Sequence, residues 1–128
     1  MAKTAARRGA TWPTLCKIAL RLPGVELGMS YGTPALHVRK KFIARLKEDG
    51  ETIAIRVDVA DRDVLLEMDP AAFYVTDHYR PYPAMLIRLK KVRLDLLEQI
   101  LERTWSLQAP KSLKNGGGRT KTRQRSPI

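Results

Sequence analysis

The segment Asp77-His78-Tyr79 is where the residue types of this chain could support acid–base chemistry. A histidine near a carboxylate can act as a general base. Adjacent side chains rarely form a productive hydrogen bond with each other, however, and no serine or cysteine nucleophile accompanies them in a known pattern. Tyr31, in the turn Tyr31-Gly32-Thr33-Pro34, is the other candidate for lining a small pocket with these residues. We expect His78 to fix its own loop and predict that the protein is not an enzyme, with a small-molecule site around Asp77 and His78 as the alternative.

Metal ligands are sparse in this sequence. One cysteine, Cys16, and two histidines, His37 and His78, lie far apart, and their spacing matches no zinc pattern. We predict no metal and no cofactor. A single cysteine also predicts no disulfide framework, as is usual for proteins of a reducing cytoplasm. The N-terminal residues are basic but lack the apolar core of a signal peptide. No apolar run reaches the roughly 18–20 residues that a membrane-spanning helix needs, so the sequence favours a cytoplasmic protein without a membrane partner.

Positive charge is concentrated at the two ends of the chain. The 128 residues contain 24 Lys and Arg against 13 Asp and Glu, a net charge of +11. Residues 1–10 contribute +3 and residues 109–128 contribute +6, so residues 11–108 carry only +2. A basic tail attracts any polyanion without choosing a sequence, and a merely solubilising tail is the alternative interpretation. The tail residues in question are Lys111, Lys114, Arg119, Lys121, Arg123 and Arg125.

A second basic surface is predicted from the alternation of residues in strands. If the apolar residues point inward, His37, Arg45, Arg56 and Arg88 share the opposite, uncovered face of the sheet. A hairpin tip and the end of the last strand add further cations, namely Arg39, Lys40, Lys41, Lys90, Lys91 and Arg93. Such a surface can bind phosphates, although strand arginines also serve simply to cover apolar surface with their stems. No base-reading motif is present, and the aromatic residues are too few and too clustered to predict a stacking platform.

The elements that must position these residues alternate between short strands and isolated helices. The expected order is α-β-β-β-α-β-β-α, with helices over 12–22, a short one after Asp58, and one over 93–108. The expected strands cover 33–38, 42–46, 52–57, 73–76 and 84–89, whereas Gly28, Gly32 and Pro34 disfavour a strand before residue 33. This order predicts an α+β fold in two layers, a five-stranded antiparallel sheet covered by helices on one face. Residues 1–10 are expected to form a disordered arm, 11–110 one domain, and 111–128 a disordered tail.

A set of short motifs resembles the MmcQ/YjbR family of small bacterial proteins. The resemblance covers about residues 12–110 and implies a fold like that of secretion chaperones. It also implies a DNA-binding role in which hairpins act as paired wings, but no DNA-contacting residues transfer with it. The motifs are Leu22-Pro23-Gly24-Val25-Glu26, Tyr31-Gly32-Thr33-Pro34, Phe42-Ile43-Ala44-Arg45-Leu46, Asp69-Pro70 with Phe73, Thr76-Asp77-His78-Tyr79, Tyr82-Pro83-Ala84 and the stretch from Leu97 to Trp105.

These observations lead to two hypotheses about function. The first is a nucleic-acid-binding protein, with DNA the expected partner, that uses the basic sheet face, the hairpin wings and the basic tails, mostly through phosphate contacts. The second is a protein- or peptide-binding module, chaperone-like in fold, that dimerises or holds a partner through its sheet.

Overall fold

A six-stranded antiparallel sheet forms the framework of residues 7–116, which are the part of the chain that this computed structural model describes. The strands are β1 (Val25–Ser30), β2 (Thr33–Val38), β3 (Lys41–Leu46), β4 (Thr52–Arg56), β5 (Phe73–Tyr74) and β6 (Ala84–Arg88). Their order across the sheet is β1-β2-β3-β4-β6-β5. The predicted antiparallel α+β architecture is therefore confirmed, with six strands where five were expected.

The additional strand is β1, which pairs with β2 along its whole length, from Val25 opposite Val38 to Ser30 opposite Thr33. The expectation that glycine and proline would prevent a strand here was wrong. Gly28 tolerates the extended pairing, and the missing donor of Pro34 costs little because β2 begins beside it. Since β1 has a partner on one side only, it is an edge strand of the sheet.

Four helices accompany the sheet within the described residues, namely α1 (Trp12–Ala19), α2 (Val59–Met68), α3 (Leu94–Gln108) and α4 (Lys111–Gly116). Thr11 caps α1, because its hydroxyl accepts a hydrogen bond from the Thr14 N–H. Asp58 precedes α2, but its side chain makes no capping hydrogen bond. None of these helices combines the length and apolarity that a bilayer crossing requires.

The hydrophobic core lies between the helices and one face of the sheet. Leu97, Ile100 and Leu101 of α3 and Leu15 and Ala19 of α1 are buried against it. The sheet contributes residues that alternate along its strands, as a half-buried sheet requires. These buried strand residues include Leu36, Val38, Ala44, Ile53, Ile55, Met85 and Ile87.

A bulge in β3 changes which residues face the core. Leu36 pairs with Ala44, but His37 pairs with Phe42, so one residue is inserted on β3 between these pairs. Ile43 consequently joins the core, and Phe42 comes to the same face as His37. Phe42 therefore does not share the core face with Ala44 and Leu46, as strict alternation along the strand would require.

Both predicted chain-end segments extend too far into the ordered domain. Residues 7–10 pair with the chain after β6: the N–H groups of Gly9 and Ala10 donate to the carbonyls of Val92 and Leu89. At the other end, α4 continues the fold past residue 111, and Leu113 packs against the core. The prediction of disorder was wrong for these two stretches, while residues 1–6 and 117–128 lie outside the described part of the chain.

Candidate nucleic-acid interface

The face of the sheet away from the core, which we call the open face, carries a groove. Two adjoining hollows form it, with volumes of ≈ 320 and ≈ 410 Å³. We call this the Tyr31 groove. Tyr31, Arg45, Tyr79 and Ala84 line both hollows; Ser30, His37, Lys40, Phe42 and Ala54 complete the first, and His78 and Tyr82 complete the second.

Small side chains make the floor of this groove. Ala35, Arg45, Ala54 and Leu86 form one cross-strand row on the open face, and Ala84 lies opposite Arg56 one row further. An exposed sheet face normally carries larger polar residues. Alanine at these outward positions leaves the concavity that the tyrosines surround.

Tyr31 lies at the tip of the β1–β2 hairpin in an unusual backbone conformation. Its φ is 53°, and Gly32 follows with φ 82°, as a two-residue turn of type I′ requires. Glycine and asparagine favour such positions, whereas a bulky residue there is strained by about 1–2 kcal/mol. Tyr31 is nevertheless 86% exposed, so burial does not offset this cost.

Arg45 lies beneath Tyr31 and is only 7% exposed. Its guanidinium carbon is 5.3 Å from the centroid of the Tyr31 ring. One of its nitrogens donates to the Thr33 hydroxyl at 2.8 Å and lies 3.5 Å from a carboxylate oxygen of Glu48. The stacked ring and these polar contacts fix the guanidinium at the wall of the groove.

The loop between β5 and β6, residues 75–83, forms the opposite wall. The ring of His78 stands edge-on to Tyr79, with centroids 4.9 Å apart, and lies 6.3 Å from that of Tyr82. The Lys47 ammonium donates to the Tyr79 hydroxyl at 3.3 Å. Three tyrosines and a histidine thus converge on one groove from two loops that are distant in sequence.

A buried arginine that the sequence analysis missed holds this loop in place. The Arg62 guanidinium donates to the carbonyls of Tyr82 at 2.8 Å, Ala84 at 3.0 Å and Arg80 at 3.3 Å. Its Nε is buried without a hydrogen-bond partner. Arg62 is on α2, next to acidic residues, so in the sequence it resembles an ordinary surface charge.

The acid–base pair considered from the sequence does not form. Asp77 makes its ion pair with Arg80, at 3.9 Å, and no hydrogen bond joins its carboxylate to His78. The structure does bring His78 and Tyr79 together with Tyr31, as the predicted pocket required. Asp77 does not line that hollow.

The strand arginines differ in their accessibility. By register His37, Arg45, Arg56 and Arg88 do share the open face. Of the three arginines predicted to face solvent, only Arg88 is exposed. Arg45 is buried, and Arg56 donates to the Gln108 side chain of α3 at 2.9 Å. The predicted surface of three free guanidinium groups was therefore wrong.

Arg88 itself is not a free cation. It lies 4.0 Å from the centroid of the Tyr74 ring and donates to the Ala71 carbonyl at 3.1 Å. Lys90 forms an ion pair with Glu51 at 3.0 Å, and Lys114 donates to the Ser106 carbonyl.

Three accessible cations of the domain lie together at the β2–β3 hairpin tip. Arg39, Lys40 and Lys41 are exposed, and their side chains make no hydrogen bond or ion pair within residues 7–116. Arg39 and Lys40 have φ values of 49° and 72°, so this tip is also a strained two-residue turn. Lys91 and Lys111 are exposed as well, whereas Arg119, Lys121, Arg123 and Arg125 lie outside the described residues.

Acidic residues are concentrated on two of the four helices. Helices α2 and α3 contain six acidic and two basic residues, a net charge of −4. The remaining residues of 7–116 contain 17 basic and seven acidic residues, a net charge of +10. The negative charge of the domain is therefore concentrated on α2 and α3, whereas the positive charge is spread over the hairpins, α1, α4 and the segments that join them.

A hollow on the helical side has a different character. It lies between α2 and α3, has a volume of ≈ 180 Å³, and is lined largely by apolar residues such as Val64 and Leu107. Its charged residues are Asp58, Asp61 and Arg103, and the Arg103 guanidinium pairs with Asp61 at 2.7 Å. This acidic rim does not suit a polyanion.

Within residues 7–116, no three His, Cys, Asp or Glu side chains are grouped so that they could hold a metal ion. Cys16 lies in α1, where burial raises the pKa of its thiol.

The fold and site define an α+β protein with an antiparallel sheet, helices on one face and a basic, aromatic groove on the other. The family model YjbR matches residues 20–107, and the chain belongs to this family. The resemblance found in the motifs is thereby confirmed.

Similar proteins add the fold but no activity. The crystal structure of the Deinococcus radiodurans protein DR2400, a DUF419 domain, aligns with a TM-score of 0.66 at 18% identity, covering 83% of this chain and 80% of that one. The uncharacterized proteins Rv2570 of Mycobacterium tuberculosis and Mb2600 of Mycobacterium bovis are 34% identical over 65 residues. The chain spans about half the length of these curated relatives, since the matches cover 50% of each.

Proposed function

We propose that this protein binds nucleic acid in the cytoplasm, with DNA the expected partner, and that its open sheet face and hairpin tips contact the strand. The observation that carries this proposal is the segregation of charge, −4 in helices α2 and α3 against +10 elsewhere in residues 7–116. A phosphate backbone approaching the domain is repelled by α2 and α3 and attracted to the rest of the domain, which includes the open sheet face and the hairpin tips.

The hairpin tips supply the contacts that orient the domain in this proposal. Lys40 lines the Tyr31 groove, and its neighbours Arg39 and Lys41 project into solvent beside it. Cations without internal partners reach phosphates without first breaking an ion pair. The tips take the place of the predicted arginine surface, and the tail cations 117–128 add affinity that is independent of sequence and shape.

A pair of matched double variants tests this proposal. Lys40→Gln/Lys41→Gln removes two positive charges from the hairpin tip, and Lys17→Gln/Arg21→Gln removes two exposed charges at α1 and the turn after it. We expect the first variant alone to reduce the slope of log affinity against log salt, by up to about 2, because each phosphate contact contributes about 0.9. Fluorescence anisotropy of labelled DNA between about 50 and 200 mM salt measures this slope.

Two outcomes contradict the proposal. Equal slopes for the two double variants mean that the contacts do not lie at the sheet side. A full-length protein that retains neither duplex nor single-stranded DNA at low salt is not a nucleic-acid-binding protein.

Truncation after residue 116 removes four basic residues and should lower affinity for both forms of DNA alike.

A second candidate function is a protein- or peptide-binding module, and the edge strand β1 favours it. Leu27 is 56% exposed and Met29 is 63% exposed on the strand that has a free edge. An extended peptide, or β1 of a second copy, could add to this edge. Light scattering of the wild type and a Leu27→Pro variant tests it, because Leu27 lies opposite Leu36 at a non-hydrogen-bonded position of the β1–β2 pair and its N–H points to the free edge; a monomer in both cases leaves no support for self-pairing.

A further inference from the structure

The Tyr31 groove exposes aromatic rings, which can contact the bases of a nucleic acid and not only its phosphates. Tyr31 and Tyr82 are exposed aromatic residues, 86% and 56% respectively, on opposite walls of the groove. Because Arg45 lies over one face of Tyr31 and the ring is so exposed, its other face is available to a ligand. Aromatic faces offered in this way match the faces of planar rings.

A stacked duplex does not present such faces. In double-stranded DNA each base covers its neighbours, and only the edges of the bases are accessible in the grooves. An unpaired base can stack on tyrosine, and this contact tolerates any base because each has a π-face. The hollows, at ≈ 320 and ≈ 410 Å³, also fall in the range of roughly 300–1,000 Å³ that is usual for small-ligand sites.

Cations lie next to the aromatic residues of the groove. Arg45 and Lys40 line the groove itself, and Lys47 lies 5.2 Å from the centroid of the Tyr79 ring. A base on a tyrosine would therefore keep its phosphate near a positive charge. Tyr31 has a strained backbone, with a φ of 53°, although its side chain is exposed. Backbone strain of this kind is found preferentially at binding sites.

We propose that the Tyr31 groove holds an unpaired base of a single-stranded nucleic acid, stacked on Tyr31 or Tyr82, with Arg45 and Lys40 near its phosphate. This inference rests on the proposed nucleic-acid binding and specifies which form of the polymer is bound. The protein then discriminates single strands from duplexes by the aromatic groove, while the hairpin tip and tail bind the backbone of either form.

Three variants of the full-length chain test this inference. Tyr31→Ala and Tyr82→Ala remove the stacking faces, and Tyr31→Phe keeps the ring while removing its hydroxyl. The probes are labelled oligothymidylate of about 12 nucleotides, a blunt duplex with the same number of phosphates, and thymidine monophosphate as competitor. Circular dichroism and thermal melting establish that each variant is folded.

We expect the wild type to bind the single strand more tightly than the duplex. At least one of the two alanine variants, the one at the tyrosine that stacks the base, should weaken single-strand binding by between about fivefold and about 150-fold, since stacking contributes about 1–3 kcal/mol per base. Duplex binding should be unchanged in these variants, and Tyr31→Phe should bind both probes as the wild type does.

The contrary results are distinct for the two proposals. Equal binding of single strand and duplex, or alanine variants that bind the single strand normally, overturns the base-stacking inference and leaves phosphate binding intact. Failure to bind either probe overturns both proposals. Thymidine monophosphate that competes as well as unlabelled oligothymidylate would make the groove a site for a free nucleotide and would also overturn the inference.

Discussion

The Arg45 guanidinium lies beneath the Tyr31 ring, its central carbon 5.3 Å from the ring centroid, and together they form one wall of the groove on the open face. The buried cation comes from a central strand and the exposed ring from a hairpin tip, so the pair connects two elements of the sheet. Arg45 also donates to Thr33, at the first residue after that tip. The hairpin and the groove therefore depend on the same side chain.

Replacement of Arg45 by lysine should show that the planar guanidinium matters more than the charge. Arg45→Lys keeps the cation but loses the flat contact with Tyr31 and the geometry of the Thr33 hydrogen bond. We expect the free energy of unfolding to fall by about 1–2 kcal/mol in chemical denaturation. Arg39→Lys, at an exposed tip, is the matched control and should change stability by less than about 0.5 kcal/mol. Equal effects at both positions would contradict the role assigned to Arg45.

Arg62 should be more important for stability than its helical position suggests. Arg62→Met removes the buried donor to the carbonyls of Arg80 and Tyr82 in the loop and of Ala84 at the start of β6, so we expect a loss of about 2–4 kcal/mol. Arg103→Met, on α3, breaks only an exposed ion pair with Asp61 and should cost about 0–1 kcal/mol. Urea denaturation of the two variants provides the comparison. Similar midpoints would mean that Arg62 does not hold the loop.

The packing of α4 predicts different results for two glycine variants. A Cβ at Gly24, where φ is 77°, would lie 2.6 Å from Leu113 Cδ1, whereas a Cβ at Gly32, where φ is 82°, would have no atom within 4 Å. Gly32→Ala should therefore cost only backbone strain of about 1 kcal/mol. Gly24→Ala should add the displacement of Leu113, seen as faster amide hydrogen exchange in residues 111–114. Unchanged exchange there would contradict this packing.

Asp49, in the β3–β4 turn, should make the free energy of unfolding depend on pH. Hydrogen bonds from the Glu51 N–H and then from the Thr52 hydroxyl lower the pKa of Asp49 below its ordinary value of 3.8. Because the folded state favours the carboxylate, its contribution is present above that ordinary value and is lost as the pH falls through the lowered pKa. Asp49→Asn should thus be less stable than the wild type at neutral pH, by about 1 kcal/mol.

The difference between wild type and Asp49→Asn should shrink as the pH falls below 3.8, measured by thermal melting at a series of pH values. Asp49→Ala, which removes the acceptor oxygens altogether, should be less stable than Asp49→Asn at neutral pH. If the difference in stability between the wild type and Asp49→Asn instead grew as the pH fell, the stabilising role assigned to the Asp49 carboxylate would be wrong.

The sequence predicts the framework of this fold because its strands and helices have clear periods. Leu97 and Leu101 recur at helical spacing, and Ile53 and Ile55 alternate, so the α3 helix and the β4 strand follow directly. It misses β1 because Gly28, inside the strand, and Gly32, in the turn directly after it, are both residues that favour turns. Only pairing with β2 makes the segment a strand. Local propensity does not contain that tertiary contact.

The candidate site was harder to predict than the fold for a similar reason. Tyr31, His78 and Tyr79 were proposed from the sequence only as an alternative pocket, and they do line one hollow. The alanine floor and the bulge that turns Phe42 toward His37 follow from register alone. The burial of Arg45 and the hydrogen bonds of Arg56 likewise depend on residues distant in sequence. Outward alanines in central strands were the one signal in the sequence that could have indicated a groove.

The most direct test of the central claim maps the binding surface residue by residue. Titration of oligothymidylate into ¹⁵N-labelled full-length protein should shift backbone amide resonances of residues 30–32, 37–42 and 78–84, which surround the Tyr31 groove. The amides of α2 and α3, on the acidic helical side, should remain in place. Shifts concentrated in residues 59–68 and 94–108, with residues 30–32 and 78–84 unchanged, would contradict the account.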